Sequence, residues 1–298
     1  MEEATQTLSQ TDIINIVTNV LNELFSNLLS SIDNTIYSLL DQITFLDSKD
    51  IIDSNIQSLF FSEKFNLLIL ANILLTGIVL YHIGKIILSI YTNTQTEFPY
   101  LYVIKVVIYG ICMNCSLYIL EGIINLNYLI SEYLLELGKY LFKVDISFTS
   151  FTNIINNSIN IDSSINIFSL DGVIHSMLSF GFISILITYI LRFILIKILI
   201  LCSPFMFLCL CEENLSKYFF NWLKYFIIIL LNQNIVIIAL YTPYILDFKN
   251  DMYSKFLIIG VIYTIHKINE YIKEFIGGFS ISGNINLQGI SSALFKGR

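Results

Sequence analysis

The sequence predicts an all-α polytopic membrane protein, with about five transmembrane helices and additional amphipathic extracytoplasmic helices. Of its 298 residues 55% are hydrophobic and only 13% are charged, whereas soluble domains carry a charge on about 25% of their residues. Several uninterrupted apolar runs approach or exceed the ~18 residues that mark a spanning helix. The alternating segments of about ten residues that are typical of membrane β-barrels do not occur.

Residues 1–63 are predicted to form an extracytoplasmic, amphipathic helical region. Apolar residues recur at spacings of three and four between Ile14 and Leu39, which is the pattern of one helical face. The opposite face carries no Lys or Arg over these residues. That absence favours packing on protein over binding to lipid headgroups, although both partners stay open here.

Residues 64–120 are predicted to contain the first two transmembrane helices. Their apolar runs cover about Leu67 to Ile83 and about Tyr102 to Leu120. Lys105 lies about one turn inside the second run, from where its long side chain can reach the interface. Residues 121–171 then continue the helical pattern as an extracytoplasmic amphipathic helix, followed by a Ser/Asn/Asp-rich loop.

Residues 172–276 are predicted to form a membrane core of three spans with an overlong first helix. The apolar run from Val173 to Cys202 would be about 45 Å long as a helix, against ~30 Å of hydrocarbon. A bend or stop is expected at Ser203-Pro204-Phe205, because proline cannot continue the helical hydrogen bonding. A cytoplasmic turn and a second span to about Leu246 follow. The last apolar segment, 252–266, is short, tilted or re-entrant, and residues 277–298 are a predicted cytoplasmic tail.

Polar residues interrupt this core at a few positions. A charge deep in a span costs roughly 3 kcal/mol, so Arg192 is expected to face a partner helix or a polar cavity. Lys197 has the same options, or its side chain extends to the inner interface. Trp222 is predicted to anchor the following span at the interface. Asn232, Gln233 and Asn234 cannot share one face, and they favour helix–helix contacts or a polar passage.

The orientation of the chain in the membrane is predicted from Lys and Arg, which are enriched in cytoplasmic segments. With five spans and an external amino terminus, the inner segments are about 84–101, 203–224 and 267–298. Together with Lys105 they hold eight basic residues, against six in the longer outer segments. The sequence therefore predicts a multi-pass protein of the cytoplasmic membrane, with its amino terminus outside and its carboxyl terminus in the cytoplasm.

Several classes of site are not expected from the sequence. The formal net charge is −7, and the chain has no basic block that would indicate a specific nucleic-acid-binding site. The histidines and cysteines lack metal-ligand spacing, and the pair Cys112 and Cys115 lies inside an apolar run. Neither H-E-x-x-H nor G-x-S-x-G occurs. We therefore expect no catalytic residue, no metal, no cofactor and no enzymatic activity.

The central unit resembles the TrbL-like polytopic membrane subunits of conjugative type IV secretion systems, the VirB-type inner-membrane channel component. The resemblance covers about residues 100–246 and agrees in the expected topology. It rests on an arginine in a long span, a proline bend, a charged cytoplasmic turn, an aromatic return and a glutamine in the next span. Here these features are Arg192, Ser203-Pro204-Phe205, Glu212 to Lys217, Phe220 with Trp222-Leu223, and Gln233.

The resemblance implies a channel or scaffold subunit that helps a DNA–protein substrate pass across the cytoplasmic membrane. It implies a ring-shaped homo-oligomer in the lipid bilayer, other secretion-system membrane subunits as neighbours, and separate ATPases that supply the energy. The assembly candidates are then Arg192, Lys197, Ser203, Pro204, Phe205, Trp222, Asn232 and Gln233. A small-molecule transporter or permease is the alternative, although no internal repeat supports it; an intramembrane enzyme is a third, weaker reading.

Overall fold

The computed structural model describes residues 36–63, 65–92, 99–158, 170–246 and 252–275 of the chain. Within these ranges every regular element is a helix and no strand occurs, so the all-α class is confirmed. The apolar stripe predicted before residue 36 and the predicted tail, 277–298, lie outside the described residues. The helices, in chain order, are α1 (36–44), α2 (Ser48–Ile51), α3 (Ser54–Phe61), α4 (Leu67–Thr92), α5 (Pro99–Asn114), α6 (Ser116–Phe142), α7 (Phe148–Ser158), α8 (Leu170–Leu208), α9 (Glu213–Ala239), α10 (Thr242–Leu246) and α11 (Met252–Phe275).

Three stretches of the described chain are long and apolar enough to cross a membrane. They are Leu67–Thr92, Gly172–Cys211 and Asn214–Leu246. A fourth crossing results if Tyr102–Asn114 and Ser116–Phe142, which meet at 61°, count as one broken span. The chain is therefore a helical membrane protein with three or four such spans in its described part, and α11 is not among them.

The second predicted span is interrupted near its middle. The sequence predicts one helix to about Leu120, but α5 ends at Asn114 and α6 begins at Ser116. The Asn114 side chain donates to the carbonyl of Gly110 at 2.8 Å, which is the acceptor that the next helical turn uses. Asn72 makes the same bond to Leu68 within the unbroken α4, so this bond alone does not explain the break. The two amides also meet, since Nδ2 of Asn72 donates to Oδ1 of Asn114 at 3.0 Å and joins α4 to the end of α5.

Helix α8 is longer than predicted and runs through its proline. It contains 39 residues from Leu170 to Leu208, about 58 Å of helix. Of the predicted bend or stop at Ser203-Pro204-Phe205, the stop is wrong, because α8 continues through Pro204 to Leu208. Ser203 and Pro204 are both buried. Proline is tolerated in membrane helices where neighbouring elements support the freed backbone carbonyl. The chain turns only after a 3₁₀ segment, Cys209–Cys211, and an extended Glu212.

The interior consists of two apolar clusters that follow each other along the α8–α9 hairpin. The first, which we call the α11-side cluster, joins the amino-terminal half of α8 to α7, α11 and the end of α9. The second, the α4-side cluster, joins the carboxyl-terminal half of α8 to α3, α4, α5 and the start of α9. On α8 the first cluster ends at Tyr189 and the second begins with Phe193 and Ile196. Arg192 therefore lies at the boundary between them.

Close packing fixes α11 against α8 within the α11-side cluster. A Cβ atom added to Gly181 would meet Cγ2 of Ile262 at 2.7 Å, so the two helices approach as closely as glycine allows. Three residues further along α8, the Ser184 hydroxyl lies 3.3 Å from Nδ1 of His266. The two helices thus run in parallel, side by side, along the half of α8 that precedes Arg192.

Candidate polar site at the α8–α9 interface

Arg192 is buried and faces α9. Its residue surface is 6% exposed, and its Nε donates to the carbonyl of Ile229 at 3.0 Å. Nη2 lies 3.5 Å from Oε1 of Gln233, at the long limit of a hydrogen bond. Its third nitrogen, Nη1, is buried and has no hydrogen-bond partner in the described chain. All the partners of this guanidinium are neutral, so its charge is solvated by dipoles and lacks an ion-pair partner.

Two further buried side chains beside Arg192 lack partners. Both polar atoms of the Asn232 amide are buried without a hydrogen bond, and so is the Tyr189 hydroxyl. The guanidinium carbon lies 5.6 Å from the centre of the Tyr189 ring. The hydroxyl lies beside Asn232, but no bond of ordinary geometry joins them. We call Tyr189, Arg192, Asn232 and Gln233 the polar layer, since they separate the two apolar clusters.

Asn234, the third adjacent amide, belongs to a different contact. Its Nδ2 donates to Oδ1 of Asn127 on α6 at 2.9 Å, and its Oδ1 accepts from the Ser131 hydroxyl at 2.5 Å. All three side chains are buried. The three amides of α9 thus point to different neighbours, as the 100° step of a helix requires, and Asn234 fixes the register of α9 against α6.

Lys197 is paired with a carboxylate from the amino-terminal region. Its Nζ lies 2.7 Å from Oδ2 of Asp53, and the two side chains are 25% and 35% exposed. Asp53 also caps α3, because its Oδ1 accepts from the backbone N–H of Ile56 at 2.9 Å. The hydrogen bond from Lys197, and secondarily the one from Ile56, lowers the pKa of the Asp53 carboxyl below its ordinary value.

The Lys197 contact connects regions that the sequence places apart. Residues 1–63 were expected outside the membrane, yet Ile51, Ile52, Ile56 and Phe60 are buried in the α4-side cluster. An α2–α3 segment therefore lies against the carboxyl-terminal half of α8. No pattern in the sequence indicates this contact, because Asp53 and Lys197 are 144 residues apart and each has other acidic or basic residues nearer in the chain.

The turn between α8 and α9 carries a second contact that the sequence did not reveal. Nε2 of His82 on α4 lies 2.7 Å from Oε2 of Glu212, in an arrangement outside ordinary hydrogen-bond angles. The His82 ring stacks on Tyr102 of α5 with centroids 3.8 Å apart. Hence the middle of α4, the start of α5 and the α8–α9 turn lie close together.

The remaining sequence candidates lie in the α4-side cluster. Ser203 is buried without a hydrogen-bond partner, and Phe205 is half-buried. Trp222 is 6% exposed and stacks on Phe226 with centroids 5.9 Å apart. The position of Trp222 at the membrane interface stays a prediction. Within the molecule, Phe207 of α8 and Phe219 of α9 lie beside its indole, with ring centroids 6.3 and 5.8 Å away.

The arrangement offers helix contacts rather than reacting groups. No group of three or more His, Cys, Asp or Glu in the described chain could hold a metal ion. The five cysteines are free, and the pair Cys112 and Cys115 forms no disulfide. Comparison with protein-family models, with curated proteins and with solved structures found no match for this chain.

Proposed function

We propose that this chain is a channel or scaffold subunit of a conjugative type IV secretion apparatus, which acts by oligomeric assembly in the cytoplasmic membrane. The resemblance of residues 100–246 to the TrbL-like subunits motivates the family. One structural observation supports assembly. The apolar exterior of the molecule is longer than the hydrocarbon layer of a lipid bilayer is thick, so acyl chains alone cannot cover it.

The exposed apolar surface begins near the start of α8. Along this helix it extends from Val173 to Ile198, about 37 Å by helical rise. Every residue in this row is more than a third exposed, although the chain is folded around the opposite face. The row consists of Val173, Met177, Phe180, Ile187, Ile190, Leu191, Ile194 and Ile198.

The same surface continues to the other end of the hairpin. Beyond the α8–α9 turn, α9 begins with exposed Leu215, Tyr218 and Phe220. From Val173 to Glu212 the chain covers about 58 Å, and α4 carries exposed Ile90 and Tyr91 beyond His82. A bilayer provides ~30 Å of hydrocarbon and at most ~45 Å with its headgroups. Even a tilt of about 40°, the upper end of the usual range, leaves roughly 44 Å along the bilayer normal, which is about 14 Å more than the hydrocarbon layer.

Protein must then cover the part of this surface that lipid does not reach. Exposed contiguous apolar area of this extent marks interaction sites. Further copies of this chain, arranged as a ring, and neighbouring membrane subunits of the apparatus provide such a cover. The proposed role is structural: the helices support the path of a DNA–protein substrate, and separate ATPases supply energy. In this proposal the amino terminus is external, the carboxyl terminus is cytoplasmic, and about five crossings require the α5–α6 pair and α11 to span.

The test is the mass of the full-length protein after gentle extraction, together with transfer of the element that encodes it. We expect a homo-oligomer or a larger complex, and we expect deletion of the coding sequence to abolish conjugative transfer until the intact chain is supplied. A monomer that takes up a specific small solute would contradict the proposal and favour the transporter.

A matched pair of variants on α8 sharpens this test. Leu191→Lys and Ile194→Lys place a charge on the exposed row and should reduce the oligomer to smaller species without unfolding the subunit. Asn214→Lys, at an exposed polar position at the start of α9 and outside the row, serves as the control for adding a charge to the hairpin. An unchanged oligomer in both row variants would show that this face of α8 is not part of the interface between subunits.

A further inference from the structure

The polar layer has a positive charge and no negative one. Among the described residues no carboxylate pairs with Arg192, whereas Asp53 is engaged with Lys197 and Glu212 lies against His82. From the two apolar clusters the guanidinium receives one backbone acceptor, the carbonyl of Ile229, and the ring face of Tyr189, and both are neutral. Leaving one charge of a buried pair uncompensated typically costs about 3–5 kcal/mol. The folded protein therefore gains from anything that brings a negative charge to this layer.

The unpartnered groups of the layer are mostly donors. Nη1 of Arg192 has two N–H groups, the Asn232 amide has two more, and the Tyr189 hydroxyl has one; none has a partner in the described chain. These side chains are at least nine-tenths buried: Arg192 is 6% exposed, Tyr189 1% and Asn232 0%. Buried donors of this kind are normally paired. Unpartnered donor atoms on three side chains, at one place on two adjacent helices, indicate an occupant that accepts hydrogen bonds.

We propose that the polar layer binds one small monovalent anion of the class of chloride, bromide or nitrate. One guanidinium balances one negative charge, so a divalent anion such as sulfate would remain half uncompensated. The donors come from two helices that pack against each other, which favours a small ion over an organic acid. The apolar clusters on both sides penalise strongly hydrated ions, so the layer prefers bromide and nitrate to fluoride. Ordered water would satisfy the donors but not the charge.

The test uses the purified full-length protein in detergent at constant ionic strength. Sodium gluconate is replaced stepwise by sodium bromide, nitrate, chloride or fluoride, and the thermal unfolding midpoint is recorded. An anion that binds the folded state alone raises the midpoint in a saturable way. We expect this rise for bromide and nitrate at the lowest concentrations, then for chloride, and least for fluoride.

Variants locate the site. Arg192→Gln should abolish the saturable rise, and Asn232→Leu should raise the half-effect concentration about tenfold or more, since one hydrogen bond to a charged group is worth about that factor. Lys197→Gln, which removes the other cation of the same helix, should respond to bromide as the unaltered protein does. Should Arg192→Gln fail to fold, the comparison of Asn232→Leu with Lys197→Gln still shows whether the anion binds at the polar layer.

Three outcomes overturn the proposal. The first is an unfolding midpoint of the unaltered protein that is the same in gluconate and in bromide, which would leave water as the occupant. The second is a saturable rise that persists in Arg192→Gln or is unchanged in Asn232→Leu, which would place the anion elsewhere. The third is a rise that Lys197→Gln abolishes, which would assign the effect to the Asp53 contact.

Discussion

Two cations lie on α8 five residues apart, and the protein accommodates them in opposite ways. Lys197 meets the Asp53 carboxylate at 2.7 Å, and both side chains keep a quarter or more of their surface exposed. Arg192 is buried and meets only a carbonyl and an amide. The comparison shows that the same kind of residue in the same apolar helix serves two purposes. One charge attaches an amino-terminal segment, and the other organises the interior of the hairpin.

The difference follows from the shape of the two side chains. A guanidinium presents donors in a fixed plane, so Arg192 can bridge the α9 backbone and a side chain one turn later. A lysine ammonium is a compact charge on a flexible stem, and it reaches the carboxylate of a cap at the side of the helix. An interior that keeps Arg192 without a carboxylate is costly to build, which makes each of its neutral partners energetically important.

Loss of the Gln233 acceptor should have the largest effect on stability. Gln233→Leu leaves Nη2 as well as Nη1 of Arg192 without an acceptor side chain, and hydrogen bonds to charged groups are worth about 1.5–3 kcal/mol. We expect a loss of about that size in the free energy of unfolding, measured by denaturant titration in detergent.

Gln233→Glu is the matched control for this position. It keeps the length of the side chain and supplies the missing negative charge, so we expect it to be at least as stable as the unaltered protein. Destabilisation of equal size by both variants would show that Gln233 acts only through packing. The difference between Arg192 and Lys197 would then not be electrostatic in origin.

The Lys197 pair should contribute less, because solvent screens it. Asp53→Asn and Lys197→Gln should each reduce the free energy of unfolding by about 1 kcal/mol or less, as measured for partly exposed pairs. The double variant should lose little more than either single one, and the exchange Asp53→Lys with Lys197→Asp should recover part of the loss. Strictly additive losses in this cycle would mean that the two side chains are not energetically coupled.

The sequence was sufficient for the class of fold and for the odd position of Arg192. Long apolar runs need no tertiary information, since lipid demands a hydrogen-bonded helix wherever the chain is apolar. A charge in such a run must likewise find partners, so the sequence alone predicts that Arg192 makes a polar contact inside the protein. The length of the apolar run around it predicts that α8 is longer than a bilayer requires.

Boundaries and long-range partners could not be obtained in the same way. Pro204 is an unfavourable residue in an isolated helix, and only the buried neighbours of Ser203 and Pro204 explain why α8 continues. The break between α5 and α6 at Cys115 falls inside an apolar run, where hydropathy shows no interruption. The Asp53–Lys197 and His82–Glu212 contacts join distant segments, and a single sequence contains no periodicity that indicates such pairs.

Lowering the pH should weaken the Lys197 contact and leave the Arg192 contacts unchanged. The expected change in stability is smaller than for the substitutions above. The pKa of Asp53 is lowered in the folded protein from an ordinary value of 3.8. Its stabilising contribution is therefore complete above the unfolded-state value and is lost as the pH falls through the lowered folded pKa. The unaltered protein should lose stability below about pH 4, the unfolded-state pKa, and Asp53→Asn should lack this loss. Between pH 5 and 7 the stabilities of the two proteins should depend on pH in the same way. A change in that upper range would assign the titration to another group.

Salt should produce the smallest difference, and it tests the exposure of the Lys197 pair directly. The pair is partly exposed, so raising the ionic strength with sodium gluconate screens it, because the Debye length falls from ≈10 Å at 0.1 M to ≈3 Å at 1 M. The stability difference between the unaltered protein and Asp53→Asn should therefore shrink by a few tenths of a kcal/mol at high salt. The corresponding difference for Gln233→Leu should stay constant, because the polar layer is buried and gluconate is too large to enter it. If salt reduced both differences equally, Arg192 would be in contact with solvent, and its burial between the two apolar clusters would have to be abandoned.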